Sequence, residues 1–101
     1  MAGIVFTADG RDWANSSGVF YWVIDALADR VQDAGLAGRL REISEYNLGS
    51  LNLGQLPVAE QAELVTAIRT LPDHARRDLP ESSGRDAVIA QIADLAALFA
   101  P

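Results

Sequence analysis

The chain has no cysteine, no lysine and only one histidine among its 101 residues. Without cysteine there is no disulfide, no thiolate nucleophile and no thiolate metal ligand. This composition fits a reducing compartment, so we expect a cytoplasmic protein. Zinc sites and nucleophile–base pairs usually combine histidine with cysteine, another histidine or a positioned carboxylate, so neither is expected here.

Long apolar runs and basic clusters are missing as well. No stretch approaches the ~18 apolar residues of a membrane-spanning helix. The opening segment, MAGIVFTADGRD, lacks the basic start and apolar run of a signal peptide. Fourteen acidic residues against eight arginines give a net charge of −6. We therefore expect neither a membrane nor nucleic acid as a partner, whereas a protein with a basic surface is compatible with this charge.

The rest of the composition is that of a folded globule. Half of the residues are apolar and 22% are charged, which is too apolar for a disordered chain. The length suits a single domain over residues 1–101. The exclusive use of arginine among basic residues, together with abundant alanine, is typical of a GC-rich bacterial coding sequence.

Two short segments have strand character. Residues 3–7, GIVFT, are rich in β-branched and aromatic side chains, and the Asp-Gly turn signal of ADGRD follows them. We predict a strand that ends near Ala8. The second candidate is LNL at residues 51–53, and since a lone strand cannot satisfy its backbone groups, we predict that the two segments pair.

Apolar periodicity predicts two helices in the first half of the chain. The first runs from about residue 17 to 34, with Ser16 or Ser17 as its N-cap and Gly35 as its C-terminal stop. The second runs from about residue 36 to 46. Its predicted buried stripe is Leu36, Leu40 and Ile43.

Two more helices are predicted in the second half. Pro57 suits the first position of the third helix, and Pro72 is expected to end it, with Asp73 capping one further short turn. Ser83 and Asp86 have the spacing of a capping box at the start of the fourth. The predicted apolar positions are Leu64, Val65, Ile68 and Leu71, then Val88, Ile92, Leu95 and Phe99. The chain is thus predicted to be a compact, mostly α-helical domain of four main helices with a minimal β element.

Few residues suggest catalysis. Asp9 and Asp12 flank the turn after the first strand and could hold Mg²⁺, but turn chemistry explains them and no third ligand is identifiable. His74 lies beside Arg76 and Arg77 in a polar segment, which is typical of a solvated histidine. We predict no catalytic residue, no metal site and no cofactor.

The first predicted helix divides the aromatic run Phe20-Tyr21-Trp22. At about 100° per residue, Phe20 falls within the core stripe, with Val23, Ile24, Leu27 and Val31. Three carboxylates fall on the opposite side, near Trp22, with Tyr21 at the border. They are Asp25, Asp29 and Asp33.

Two interpretations of Trp22 are open. It could pack under the N-terminal segment, against Trp13 or Phe6, with the aspartates merely solvated. Alternatively, an aromatic side chain among carboxylates could anchor a basic partner, since tryptophan and tyrosine are enriched at interface hot spots. Glu42, Glu45 and Tyr46 form a second acidic-aromatic group, which an ordinary solvated helix end would also explain.

In general character the chain resembles small immunity proteins that neutralise bacterial toxins. The resemblance lies in the stretches DWANSSGVFYWVIDALAD and EYNLGSLNLGQLPVAEQAELVTAIRTLP and in the acidic, cysteine-free, helical composition. It implies a tight, non-enzymatic complex in which the acidic protein occludes the active site of a toxin with a basic surface. From the residues themselves we predict an interface made of Tyr21, Trp22, Asp25, Asp29 and Asp33.

Two other functions are compatible with the same residues. One is a structural or assembly subunit that forms a homodimer through the first helix. The other is a small metal-dependent enzyme that uses Asp9, Asp12 and His74.

Overall fold

The structure, a computed structural model, describes residues 2–99. Over this range the chain forms four α-helices and a three-stranded sheet, which confirms a mostly helical fold. The strands are β1 (Ala2–Phe6), β2 (Asp12–Ser16) and β3 (Ser50–Asn52). The helices are α1 (Ser17–Arg30), α2 (Ala34–Glu45), α3 (Val58–Asp78) and α4 (Arg85–Ala97), and a 3₁₀ turn spans Leu53–Gln55.

The sheet has the order β2-β1-β3, with β1 antiparallel to β2 and parallel to β3. Val5 lies opposite Leu51, so the predicted pairing of these two segments is confirmed. The prediction of only one or two strands is wrong, because β2 continues directly from the Asp-Gly turn. Thr7 N donates to Arg11 O at 2.8 Å, and Gly10 adopts a φ of 92°, so residues 8–10 form a tight hairpin loop.

The core lies between one face of the sheet and the helices. α1 can approach β1 closely because Gly3 has no side chain: a Cβ there would lie 2.0 Å from Phe20 Cγ. Phe20, Ile24 and Leu27 are fully buried, as the periodicity of α1 predicts. The other fully buried large side chains are Val5, Leu36, Leu40, Leu53, Leu64, Ile68, Leu71, Ile92 and Leu95.

The ends of α1 and α2 differ in part from the prediction. Ser16 caps α1, since its hydroxyl accepts from Val19 N at 3.4 Å, as expected. However, α1 already ends at Arg30, and Gly35 does not stop it. Asp33 instead caps α2, where its carboxylate accepts from Leu36 N at 2.7 Å. Gly35 therefore lies in the first turn of α2.

The predicted breaks around α3 and α4 are also wrong. α3 continues through Pro72 to Asp78, because Leu71 and Ala75 on either side are fully buried and their packing offsets the lost hydrogen bond. Asp73 accordingly lies inside α3. α4 has Gly84 at its N-cap with no side-chain cap, so Ser83 and Asp86 form no capping box.

None of the helices within residues 2–99 has the length and apolarity needed to cross a lipid bilayer.

Candidate functional site

α1 and α2 pack as an antiparallel pair, and two polar contacts join them along their exposed side. Near one end, Arg41 Nη2 pairs with Asp29 Oδ1 at 3.3 Å. Near the other, Gly49 N donates to the Tyr21 hydroxyl at 3.1 Å, just beyond the C-terminus of α2. We call the line between these contacts the α1–α2 seam.

The middle of the seam is occupied by two carboxylates. Asp25 lies one turn before Asp29 on α1, and Glu45 lies one turn after Arg41 on α2. Because the helices are antiparallel, both steps run in the same direction, so Asp25 and Glu45 face the same section of the seam. Both are exposed, and neither has an ion-pair or hydrogen-bond partner among residues 2–99.

Exposed apolar side chains border these carboxylates. Tyr46 is 65% exposed and Leu48 is 57% exposed, the two largest apolar exposures near the seam. The chain reverses here through Asn47 and Gly49, whose φ angles are 51° and 76°. We call the whole area the acidic-aromatic surface. It comprises Tyr21, Trp22, Asp25, Glu42, Glu45, Tyr46 and Leu48.

The loop that carries Tyr46 and Leu48 is hydrogen-bonded at both ends. Tyr46 N donates to Glu42 O and Leu48 N to Ile43 O, both at 3.0 Å. At its far end, Gly49 N donates to Tyr21, and Gly49 O accepts from Ile4 N at 3.0 Å. The loop is therefore fixed to α1, α2 and β1 together.

The five predicted interface residues have four different environments. Tyr21 and Trp22 are half-buried and pack against the margin of the core. Asp25 is exposed and unpaired at the seam, whereas Asp29 is engaged by Arg41. Asp33 lies beyond α1 and caps α2, so it does not share a helix face with the other two aspartates.

The hydrogen bond from Gly49 N to Tyr21 brings the end of α2, with Glu45, Tyr46 and Leu48, next to the face of α1 that carries Tyr21 and Asp25. The sequence shows Glu45 and Tyr46 as a separate group at the end of α2, and only the antiparallel packing of α1 and α2 brings the two groups together. Leu48 was missed because it lies in a turn, outside any helical periodicity. An apolar residue beside Asn-Gly turn chemistry is the one signal that the sequence offers for it.

The alternative site at the first turn is already engaged internally. The Thr7 hydroxyl donates to Asp9, and Arg11 Nε donates to the same carboxylate at 3.0 Å. These bonds lower the pKa of Asp9 from its usual 3.8 to about 2, with the Thr7 bond contributing most and Arg11 next. Asp12 is not a turn residue, since it lies exposed on β2.

His74 is far along the chain, on α3. Burial lowers its pKa from the usual 6.5, and Arg30 and Arg77 lower it further. Arg77 Nη2 lies 2.7 Å from Nδ1 of the ring; an arginine can only donate, so Nδ1 accepts and Nε2 carries the proton of the neutral ring. Among residues 2–99, no three carboxylate or histidine side chains lie together as metal ligands, so Asp9, Asp12 and His74 do not form one group.

A groove of about 530 Å³ lies between the α1–α2 turn and α3. Two of its charged side chains, Arg30 and Glu63, join these elements to each other. Glu63 accepts from the backbone amides of Gln32 and Asp33, and Arg30 pairs with Asp78 at 2.8 Å. Arg30 and Glu63 therefore have a structural role in this groove, whereas, among residues 2–99, Thr66, Thr70 and His74 form hydrogen bonds only within α3.

No known protein family, curated protein or solved structure matches this chain.

Proposed function

We propose that this protein is a non-enzymatic binding module, most similar in role to the immunity and antitoxin proteins of bacteria. In the cytoplasm it binds a toxin enzyme with a basic surface and occludes the active site. The acidic-aromatic surface is the contact. The observation that carries the proposal is the unpaired Asp25 and Glu45 beside exposed Tyr46 and Leu48.

The two carboxylates suit a lysine or arginine from the partner. Both carboxylates face the same section of the seam, so a cation placed between Asp25 and Glu45 can pair with both. A net charge of −6 also speeds the approach of a basic partner. The carboxylates therefore contribute to association rate and to orientation.

The exposed side chains supply the apolar part of the contact. Tyr46 is an amphipathic ring of the type that dominates interface energetics, and Leu48 extends the apolar area beside it. Trp22 is half-buried, so its covered part supports the surface and its accessible part is available to a partner. Asp29 and Asp33 have structural roles and contribute less to binding.

The experiment begins with the proteins encoded on either side of this chain's gene. Each is expressed alone and together with this protein, and growth is measured. We expect one of them to be toxic alone and harmless in the pair, with direct binding by isothermal titration calorimetry. If no neighbouring product is toxic or binds, the immunity role is wrong.

The surface is then tested with a charge-reversed pair, Asp25→Arg with Glu45→Arg. The reversal removes both the long-range attraction of a basic partner and the ion pairs with it. We therefore expect the affinity for that toxin to fall about tenfold or more, mainly through a slower association rate. Glu81→Arg with Asp94→Arg is the matched control, since both residues are exposed and the change in net charge is identical. If both double variants lose the same affinity, the loss comes from net charge alone and this surface is not the contact.

A homodimer through the same surface is disfavoured by its charge. Self-association would bring Asp25 and Glu45 of one copy towards those of the other. Sedimentation of the purified protein distinguishes a homodimer from a monomeric binding module. We expect a monomer, and we expect Asp25→Arg to leave this oligomeric state unchanged.

A further inference from the structure

β1 carries apolar side chains on both faces of the sheet. Val5 points into the core, whereas Ile4 and Phe6 point to the opposite face, are half-buried and do not pack against the core. A strand that is apolar on both sides is typical of a sheet covered on both sides. Within residues 2–99, however, the helices cover only the face that carries Val5. We call the other one the outer sheet face.

Two rows of side chains cross the outer sheet face. The strand register places Ile4 between Ala14 and Ser50 in one row. It places Phe6 between Asp12 and Asn52 in the next row. The face thus has an apolar centre, and at the β2 side it ends in an exposed Asp12 that has no ion pair within residues 2–99.

β2 is also an open edge of the sheet. Thr7 N donates to Arg11 O, so in the alternating antiparallel pattern Trp13 bonds to β1 while Asp12 and Ala14 do not. The N–H and C=O groups of Asp12 and Ala14 therefore point away from the sheet. None of these four groups has a partner among the described residues, and both residues are exposed.

We propose that β2 accepts an extended segment of a partner protein as a fourth, antiparallel strand. Its backbone bonds to Asp12 and Ala14, in the manner of β-strand addition. Its residue beside Ala14 is apolar and extends the row that contains Ile4. Its residue beside Asp12 is lysine or arginine. In an antiparallel strand these residues are two apart, with the apolar one first.

The occupant is a partner segment and not a second copy of this chain, for two reasons. Strands of five, five and three residues, about 4.8 Å apart, give a face of roughly 200 Å², far below the ~800 Å² per subunit of a stable dimer. Pairing β2 with β2 of a second copy would also bring two Asp12 carboxylates to the same edge, and charges on edge strands prevent such self-pairing.

This inference does not depend on the proposed function. The sheet lies against the buried side of α1, through Gly3 and Phe20, whereas Asp25 lies on the exposed side. The two surfaces can therefore be occupied and tested separately.

The test uses a capped peptide of nine residues, threonine throughout except for a central valine-threonine-lysine. It is titrated to millimolar concentration into ¹⁵N-labelled protein and followed by NMR. We expect amide shifts at Ile4, Phe6, Asp12 and Ala14, with slowed hydrogen exchange at Asp12 and Ala14. The reversed peptide, lysine-threonine-valine, has the same composition and should bind about twofold to fivefold more weakly, the size of an exposed ion pair.

Two variants decide the mechanism. Asp12→Lys changes only an exposed side chain. This variant should bind the peptide with glutamate in place of lysine more tightly than the lysine peptide, the reverse of the parent protein. Ala14→Pro removes the backbone N–H of residue 14 at the open edge of β2 and should abolish binding. If this variant does not fold, the result with Asp12→Lys decides the question. The proposal is overturned if the amide shifts are absent, if they map to Asp25 and Tyr46, or if Asp12→Lys leaves the preference unchanged. A concentration-dependent dimer that Ala14→Pro dissociates would assign the edge to a second copy instead.

Discussion

The acidic residues of α3 are paired, whereas those of the α1–α2 seam, apart from Asp29 with its Arg41 partner, are not. On α3, Glu63 accepts from two backbone amides, and Asp78 pairs with Arg30 on α1 at 2.8 Å. Glu60 and Asp73 also have arginine partners, Arg39 at 3.7 Å and Arg76 at 2.8 Å. At the seam, Asp25, Glu42 and Glu45 have no such partner among residues 2–99.

Carboxylates that are paired within the fold thus differ from carboxylates that are free to pair with another protein. In a chain of net charge −6, the density of carboxylates does not by itself mark a binding surface. A carboxylate that already accepts from an amide or an arginine has little attraction left for a partner. The unengaged carboxylates of the seam therefore support the proposed contact, whereas those of α3 stabilise the fold.

The largest effect on stability is expected when a carboxylate that is hydrogen-bonded within the fold is removed. Glu63→Ala leaves the backbone amides of Gln32 and Asp33 without their acceptor, at the turn that joins α1 to α2. We expect a loss of about 1–2 kcal/mol in the free energy of unfolding, measured by urea denaturation. Glu45→Ala, at the seam, is the control and should change it by less than about 0.5 kcal/mol. Equal effects at the two sites would remove the distinction.

A second test uses acid. The pKa of Asp9 is about 2 in the folded protein, below the usual 3.8. A lowered pKa means that the carboxylate stabilises the fold above about pH 4 and loses this effect as the pH falls towards 2. Asp9→Asn does not titrate there, so its urea midpoint should fall less between pH 5 and pH 2.5, while Asp94→Asn, an exposed control, should behave like the parent protein.

The smallest change in stability is expected when the charge of one seam carboxylate is reversed. Glu45→Lys places a cation opposite Asp25, so a repulsive pair becomes an attractive one. We expect a gain of about 0.2–1 kcal/mol in unfolding free energy, which shrinks in about 1 M salt because exposed charges are screened. Glu45→Gln, which only removes the repulsion, should gain less. A destabilised Glu45→Lys protein would show that Asp25 and Glu45 do not face each other.

The elements that the sequence predicts well are those with local causes. The apolar spacing of α1 predicts Phe20, Ile24 and Leu27 as core, and the Ser16 cap needs only its own first turn. β2 was missed because its alternation is masked by Asp12 and Asn15, although the Asp9-Gly10 turn is a hairpin signal. α3 runs through Pro72 because tertiary burial of the neighbouring residues outweighs local propensity.

The candidate site could be predicted only in part, for a geometric reason. Helical periodicity correctly separates Phe20 from Asp25, since both belong to one helix. It cannot show that Glu45, on another helix, lies across from Asp25, because that depends on the packing of α1 and α2. It also extends α1 too far, which puts Asp33 on a helix face where it does not lie.

The position of Gly49 has a consequence for the strength of any complex. Because Gly49 is hydrogen-bonded to both Tyr21 and Ile4, the loop that presents Tyr46 and Leu48 is already ordered in the unbound protein. A partner that binds there does not have to immobilise a flexible loop, so little of the interaction energy is lost to conformational entropy. The small contact area of two side chains and two carboxylates can therefore support a tighter complex than the same residues on a mobile loop.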